Sequence, residues 1–140
     1  RGTELEDTLY GMGGDDILIG GLGNDILTGG EGDDIFKWLD QPQSRNDQDT
    51  VMDFQLNGDK IDVSDILSDD MDLNTLLAEI EITKQDDSSV VVAVPLENNE
   101  SVSITLSNDN IDQFDGYSSG QITGPALNDL VSDIFINLPD

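Results

Sequence analysis

The sequence predicts a mainly β protein, in which an N-terminal parallel coil of very short strands is capped by a β-rich C-terminal module with one or two short helices. Two observations indicate this class: a nine-residue pattern that occurs four times in residues 2–37, and alternating apolar residues further along the chain. Ten of the 14 glycines lie between Gly2 and Gly32. We therefore divide the chain into repeats (1–37), strands that close the coil (38–67) and a C-terminal module packed on the coil (68–140).

The repeat is in register over four blocks, without an insertion. The blocks are GTELEDTLY (2–10), GMGGDDILI (11–19), GGLGNDILT (20–28) and GGEGDDIFK (29–37). Each has glycine at position 1, aspartate at position 6 and an apolar residue at position 8. The aspartates are Asp7, Asp16, Asp25 and Asp34, and the apolar residues are Leu9, Leu18, Leu27 and Phe36.

These letters predict a turn followed by a three-residue strand. Glycine permits positive φ and so a tight turn over the first six positions, while alternation directs position 8 to one side of the strand. Strands this short must stack on copies of themselves, and two consecutive blocks complete one coil. The stacking predicts that Asp7 lies beside Asp25 and that Asp16 lies beside Asp34. Such carboxylate pairs need a cation, and an oxygen cage suits Ca²⁺.

Net charge excludes several classes of function. The 140 residues include 31 acidic and five basic side chains, for a formal charge of −26. Nucleic acid and anionic membrane surfaces need a basic face, so we expect neither partner. The sequence contains no His and no Cys, which removes thiol nucleophiles, Ser-His-Asp triads and zinc fingers. The longest aliphatic run, at 90–94, is too short for membrane insertion.

Other interpretations of the glycine-rich segment fit less well. A flexible linker would not hold aspartate and leucine in register. A dinucleotide fingerprint fails because Asp16 and Ile26 stand where its third glycine belongs, and the Walker lysine is missing. An EF-hand beginning at Asp70 fails because Thr75 takes the place of its glycine.

The nonapeptide resembles the calcium-binding repeat of RTX proteins, GGxGxDxUx. The resemblance extends to DQDTVMDF (47–54) and GDKIDVS (58–64), which are similar to the segment after the last repeat of that family, and residues 68–140 resemble its secretion-target modules by pattern. It implies a parallel β-roll with calcium between coils, an uncleaved C-terminal export signal and folding outside the cell.

The resemblance also implies the ligands, in which one turn supplies carbonyls from positions 2 and 4 plus its aspartate. The turn two blocks later supplies carbonyls from positions 1 and 3 plus its own aspartate. The first site is then Thr3, Leu5, Asp7, Gly20, Leu22 and Asp25, and the second is Met12, Gly14, Asp16, Gly29, Glu31 and Asp34. Two half-sites remain, Gly21/Gly23/Asp25 and Gly30/Gly32/Asp34, and we expect Asp40 and Asp53 to close them. The cofactor is thus about two to four Ca²⁺ ions. Leu5 departs from the usual glycine, which weakens the first site.

Patterns after the repeats predict the remaining elements. Alternation at Val51, Phe54, Ile61 and Val63 indicates strands that cap the coil. Leu73, Leu76, Leu77 and Ile80 indicate a helix after Asp69 and Asp70. Residues 90–94 and 102–106 indicate a hairpin, Gly124-Pro125 begins a helix, and 134–136 indicates a last strand. Ile17, Ile19 and Ile35 share one outer face of the coil, and we expect the C-terminal module to pack there.

The expected function is that of a secretion and folding module. It keeps the chain unfolded in the cytosol, directs type I secretion and folds on extracellular Ca²⁺, without catalysis. The partners implied are the ABC transporter and membrane fusion protein of that system, and we expect a monomer, secreted or at the bacterial cell surface as part of a larger protein. Two alternatives stay open: an adhesive module that binds glycan or peptide, or the tail of an RTX hydrolase or toxin. Trp38, Phe114 and Tyr117, near Asp112 and Asp115, are the candidates for an adhesive surface, but core or edge packing is the favoured interpretation of these aromatics.

Overall fold

A computed structural model describes residues 2–3, 5–39, 47–56, 58–67, 71–96, 101–108 and 112–138. The strands within these ranges are β1 (Thr8–Tyr10), β2 (Ile17–Leu18), β3 (Ile26–Thr28), β4 (Ile35–Lys37), β5 (Gln48–Val51), β6 (Lys60–Asp62), β7 (Glu81–Asp86), β8 (Ser89–Pro95), β9 (Ser101–Ser107) and β10 (Gly120–Ile122). The helices are α1 (Leu73–Glu79) and α2 (Gly124–Ile134). The fold is mainly β with parallel sheets and two short helices, as predicted.

The repeats form two parallel sheets that face each other, as the nine-residue period requires. Odd blocks contribute β1 and β3, and even blocks contribute β2 and β4. Within each pair the strands are in register two blocks apart, with Thr8 opposite Ile26 and Ile17 opposite Ile35. β5 and β6 then add a third strand to each sheet. Leu18, Leu27 and Phe36 are buried between the sheets, and Leu9 packs against this core.

The C-terminal segment continues one sheet of the roll. β5 pairs in parallel with β9, and the order β1-β3-β5-β9-β8-β7-β10 makes a single seven-stranded sheet. The predicted hairpin is present as β8 and β9, which pair from Ser89–Ser107 to Pro95–Ser101. β7 and β10 were not predicted. Core side chains of roll and C-terminal segment form one cluster, so the two halves share an apolar interior.

Two expectations about the C-terminal segment are wrong. It does not cover the outer face of β2 and β4, because Ile17 is 63% exposed and Ile19 and Ile35 are only partly buried. It joins the roll through the edges of β5 and β6 instead, where backbone hydrogen bonds are available. The last strand is also absent, since Ile134 ends α2 and Phe135 makes a single parallel bridge to Ile61.

Both helices begin where their sequences favour it. Asp72 caps α1 by accepting a hydrogen bond from the Thr75 N–H at 2.8 Å, and proline near the start of α2 needs no N–H partner. The predicted start at Asp69 and Asp70 lies outside the described residues. Within those residues, neither helix has the length and apolar character that a membrane span requires.

Candidate metal centre

The turns of the roll lie in two stacks, one at each side of the sheets. The first stack contains the turns at 2–7 and 20–25, and the second contains those at 11–16 and 29–34. Positive φ at positions 2 and 4 shapes the glycine-rich turns, as at Gly21 (94°) and Gly23 (92°). In this left-handed conformation glycine is favoured because it has no Cβ.

The predicted aspartate pairs are neighbours in these stacks. The Asp7 N–H donates to Oδ1 of Asp25 at 2.9 Å, and the Asp16 N–H donates to Oδ1 of Asp34 at 2.9 Å. Asp25 and Asp34 therefore each use one oxygen to hold the preceding coil. The other oxygen of each, Oδ2, is directed toward the glycine that begins its own turn.

That second oxygen lies in a cradle only glycine can form. A Cβ atom added to Gly29 would collide with Oδ2 of Asp34, and one added to Gly20 would collide with Oδ2 of Asp25. Oδ2 of Asp16 and Oδ2 of Asp34 are buried and accept no hydrogen bond from the described part of the chain. A buried carboxylate oxygen without a donor is strongly unfavourable unless a cation or a proton compensates it.

Backbone carbonyls of neighbouring turns border the same cradles. The Thr3 carbonyl faces Gly21 and the Leu5 carbonyl faces Gly23, so closely that a Cβ on either glycine would meet the facing residue's backbone. In the second stack, the carbonyls of Met12 and Gly14 face Gly30 and Gly32 in the same way. In the reverse direction, the carbonyls of Gly20 and Gly29 face Gly2 and Gly11. The Met12 carbonyl also accepts the N–H of Glu31 at 3.0 Å.

The first turn differs from the others. The N–H and hydroxyl of Thr3 donate to Oδ2 of Asp7 at 2.6 and 2.9 Å. The Asp7 carboxylate is thus partly satisfied by its own turn, whereas Oδ2 of Asp16 lacks such donors among the described residues. This agrees with the departure from the repeat at Leu5 and makes the second stack the stronger candidate.

In each stack the aspartates form a ladder, in which the N–H of one aspartate donates to the carboxylate of the next. Each ladder has a third aspartate that the spacing of 18 residues does not predict. The Asp25 N–H donates to Oδ1 of Asp49 at 2.8 Å, and the Asp34 N–H donates to Oδ1 of Asp59 at 2.9 Å. The steps along the chain are now 24 and 25 residues, against 18 between the repeats. The signal was present in the sequence, since Asp49 and Asp59 stand two residues before Val51 and Ile61, as the repeat aspartates stand before their apolar residues.

Asp40 and Asp53 are the two residues that the sequence predicted to close the half-sites. Asp40 lies outside the described residues. Asp53 does reach the fourth turn, where its carboxylate accepts the N–H groups of Gly29 and Gly30 at 2.9 and 2.7 Å. Asp53 therefore lies beside the first position of that turn. The aspartate that accepts the Asp34 N–H is Asp59, whereas the sequence predicted Asp53 for this place.

Asp49 and Asp59 have both carboxylate oxygens occupied by donors of the protein. The second oxygen of Asp49 accepts the indole N–H of Trp38 at 2.7 Å, and that of Asp59 accepts the Gln55 N–H at 2.9 Å. Burial raises the pKa of each to about 6, although these hydrogen bonds act in the opposite direction. The carboxylates of Asp49 and Asp59 are therefore each held by two hydrogen bonds, one from the preceding coil and one from their own region of the chain.

Asp34 lies in a different electrostatic environment. Burial raises its pKa, and the charges of Asp16, Asp53 and Asp15 raise it further, against the lowering effect of the Asp16 N–H. A cation at this point would favour the ionised form and so offset both the cost of burial and the repulsion from the neighbouring carboxylates.

The donor set fits a hard cation. It consists of carboxylate and carbonyl oxygens, the ligands that Ca²⁺ takes in sets of six to eight. Among the described residues no group of three acidic side chains is placed to hold a metal ion, so a site in the roll must draw on backbone carbonyls. The residues suited to hold Ca²⁺ are Asp16 and Asp34 with the carbonyls of their turns, and then Asp25 with those of the first stack.

The aromatic candidates for an adhesive site are mostly interior. Trp38 and Phe114 are buried, and Tyr117 is partly buried with its ring 6.4 Å from that of Phe114. They stabilise the core instead of forming a binding surface.

Comparison with known proteins agrees with the geometry of the turns. Residues 1–36 match the family described as RTX calcium-binding nonapeptide repeat (4 copies). No curated protein matches the sequence. Among solved structures, a similar one is the solution structure of the AlgE6R3 subunit from the Azotobacter vinelandii mannuronan C5-epimerase. It is 24% identical, with a TM-score of 0.49 over 76% of this chain and 73% of that one.

Proposed function

We propose, from the premise that residues 1–36 are RTX calcium-binding nonapeptide repeats, that this chain is a module whose folding is switched on by Ca²⁺ and which serves in protein export. The observation that carries the proposal is the pair Asp16 and Asp34. Their carboxylates lie in consecutive turns of one stack, and each has one buried oxygen without a hydrogen-bond donor in the described part of the chain.

The switch follows from charge and glycine content. With a net charge of −26 and ten of its 14 glycines in the roll, the metal-free chain has both self-repulsion and a high entropy of unfolding. A site with free Ca²⁺ at ten times its Kd adds about 1.4 kcal/mol to stability. Extracellular calcium modules have Kd near 10⁻⁴–10⁻³ M. Two to four such sites add roughly 3–6 kcal/mol, comparable with the net stability of a small domain.

Calcium titration of the full chain tests this step. We expect circular dichroism to show a largely disordered chain in chelator and a cooperative gain of β signal at millimolar Ca²⁺ or below. Mg²⁺ should not substitute, because it demands a smaller octahedral shell. Asp34→Asn keeps the oxygen that accepts the Asp16 N–H but removes the negative charge of the carboxylate. The Ca²⁺ concentration at the midpoint of folding should therefore rise at least tenfold.

Asp86→Asn is the matched control. Asp86 is the exposed last residue of β7, outside the roll turns, and accepts hydrogen bonds from Ser88 and Ser89. Its substitution should leave the calcium midpoint unchanged. A wild-type chain that is equally compact in excess chelator would contradict the proposal.

The role in export is the second part of the proposal. Free Ca²⁺ is scarce in cytosol, so the chain would remain extended enough for a type I channel and fold after export. Support comes from the RTX repeats, which are typical of secreted proteins, and from the predicted secretion signal in residues 68–140. Fusing a passenger to the full chain, with and without residues 68–140, should give export only with them. Equal export of both fusions would overturn this part.

We take the module to be non-catalytic, with any activity residing in a protein of which it forms part. The absence of His and Cys from the sequence supports this. An adhesive role remains the second candidate. It is favoured by the outer face of β1, β3 and β5, whose outward positions hold Thr, Tyr, Ile and Gln and no charged side chain.

A further inference from the structure

The outer face of the seven-stranded sheet is nearly uncharged in a chain that carries 31 acidic residues. The inward positions of β1, β3 and β5 hold core residues such as Leu27 and Val51, so the alternate positions face outward. Apart from the irregular end of β7 at Asp86, Glu81 is the charged side chain among the outward positions of these strands. The remaining outward residues are Thr, Ser, Gln, Tyr, Ile, Met, Val, Ala and Pro.

On the three roll strands, apolar and hydroxyl side chains alternate in two directions. One row across the strands is Thr8, Ile26 and Thr50, paired in register. The next row is Tyr10 and Thr28, with Met52 following β5. Tyr10 is 65% exposed, and Ile26 and Met52 are each 44% exposed. The three large side chains are therefore separated by threonines and do not form a continuous apolar patch.

The pattern continues into the C-terminal strands. Thr50 is opposite Thr105, which is opposite Val91, which is opposite Thr83. With strands about 4.8 Å apart, this row of hydroxyl and methyl groups extends roughly 20 Å from Ile26 to Thr83.

We propose that this face binds an uncharged polysaccharide chain, with Tyr10, Ile26 and Met52 as the main contacts. The proposal goes beyond calcium-dependent folding, because it assigns a ligand to a nearly uncharged surface that does not include the acidic turns. A sugar ring presents C–H groups on its faces and hydroxyls at its rim. An exposed tyrosine ring and threonine hydroxyls on a flat sheet complement both kinds of group.

Charge selects this ligand over the other occupants of a sheet face. A polyanion would be repelled by a chain whose net charge is −26. A second copy would bring the same charge, and the interrupted apolar surface lacks the hydrophobic core typical of stable dimers. A cationic partner would be drawn to the acidic turns, where the charge is.

NMR titration of the calcium-loaded full chain tests the proposal. The probes are cellohexaose and maltohexaose as neutral glycans, and a hyaluronan hexasaccharide as the acidic one. We expect shifts at Tyr10, Ile26 and Thr50 with a neutral glycan, and none with hyaluronan. Tyr10→Ala should lower the affinity at least tenfold, and Ile26→Ser at least threefold.

Ile17→Ser is the matched control, since Ile17 is an isoleucine on the other sheet and is more exposed than Ile26, at 63% against 44%. It should leave glycan affinity unchanged. The calcium midpoint measured on the same variants separates this test from that of folding. The proposal is overturned if neither neutral glycan shifts these residues, if hyaluronan binds as well, if Ile17→Ser weakens binding as much as Tyr10→Ala, or if sedimentation shows self-association through this face.

Discussion

Met12 adopts a backbone conformation that favours glycine. Its φ is 78°, whereas the equivalent positions in the next two turns are Gly21 and Gly30, with φ of 94° and 91°. The left-handed conformation costs an L-residue roughly 1–2 kcal/mol. The side chain is 72% exposed, so it recovers little of this by packing.

Met12→Gly should therefore stabilise the calcium-loaded protein by up to about 1 kcal/mol, after the added entropy of the unfolded chain is subtracted. Urea unfolding at saturating Ca²⁺ measures the change. Met52→Gly is the control, because Met52 is an exposed methionine without positive φ, and it should destabilise. Equal losses in both variants would show that Met12 is not strained.

Asp49 gives stability a defined pH dependence. Its pKa is about 6 in the folded protein against an ordinary value of 3.8, because burial disfavours the charged form. The folded state therefore binds the proton more tightly than the unfolded state. The contribution of Asp49 to stability is greatest below about pH 4 and is lost as pH rises toward about 6, by about 3 kcal/mol in all.

Carboxyl ¹³C NMR at saturating Ca²⁺ should show that the pKa of Asp49 lies above its ordinary value of 3.8, because the side chain is buried. Trp38→Phe removes the indole N–H that favours the ionised form, so the midpoint should move upward. An Asp49 midpoint near its ordinary value, or a downward movement in Trp38→Phe, would contradict this account.

At the scale of elements, the turn is the unit that makes the site. The glycine at position 1 has a different task from those at positions 2 and 4, because it leaves space for an aspartate oxygen and needs no positive φ. Gly29, at position 1, shows this, because a Cβ added there would meet Oδ2 of Asp34. Gly13, at position 3 of its turn, has no atom within 4 Å of an added Cβ.

Gly29→Ala should weaken calcium binding and destabilise the loaded protein by roughly 1–3 kcal/mol, because the methyl group displaces the Asp34 carboxylate. Gly13→Ala, in the other turn of the same stack, should change stability by less than about 0.5 kcal/mol. Calorimetric titration with Ca²⁺ measures both. Similar affinities for the two variants would mean that Oδ2 of Asp34 is not a ligand.

Across the whole molecule, the roll and the C-terminal segment share one core. Leu106 of β9 lies between Val51 of β5 and Val90 of β8, in a row that crosses both regions. All three are fully buried. Cooperative unfolding follows from such continuity, because no interface of low apolar content separates the regions.

Fluorescence of Trp38, the single tryptophan, reports on the roll, and far-UV circular dichroism reports on the whole chain. At saturating Ca²⁺ the two urea transitions should coincide. Leu106→Ala should lower the unfolding free energy by about 2–5 kcal/mol by both probes. Separate midpoints would instead indicate that the segments fold as independent units.

What the sequence determined by itself was everything set by a local period. Nine-residue blocks placed Leu18, Leu27 and Phe36 inside, Asp16 beside Asp34, and the two sheets parallel, because equal spacing leaves one register. Alternation and helical spacing likewise predicted β8, β9 and both helices.

Only the tertiary structure decided how the stacking continues after the repeats. The chain between β4 and β5 lengthens the step between stacked aspartates, so counting in nine-residue blocks no longer identifies the aspartate that meets Asp25 or Asp34. Asp49 and Asp59 take those places because strand pairing brings them there. The nearly uncharged outer face of the seven-stranded sheet arises in the same way. β5 and β9 become neighbours only through long-range backbone hydrogen bonds, and these place Thr50 beside Thr105.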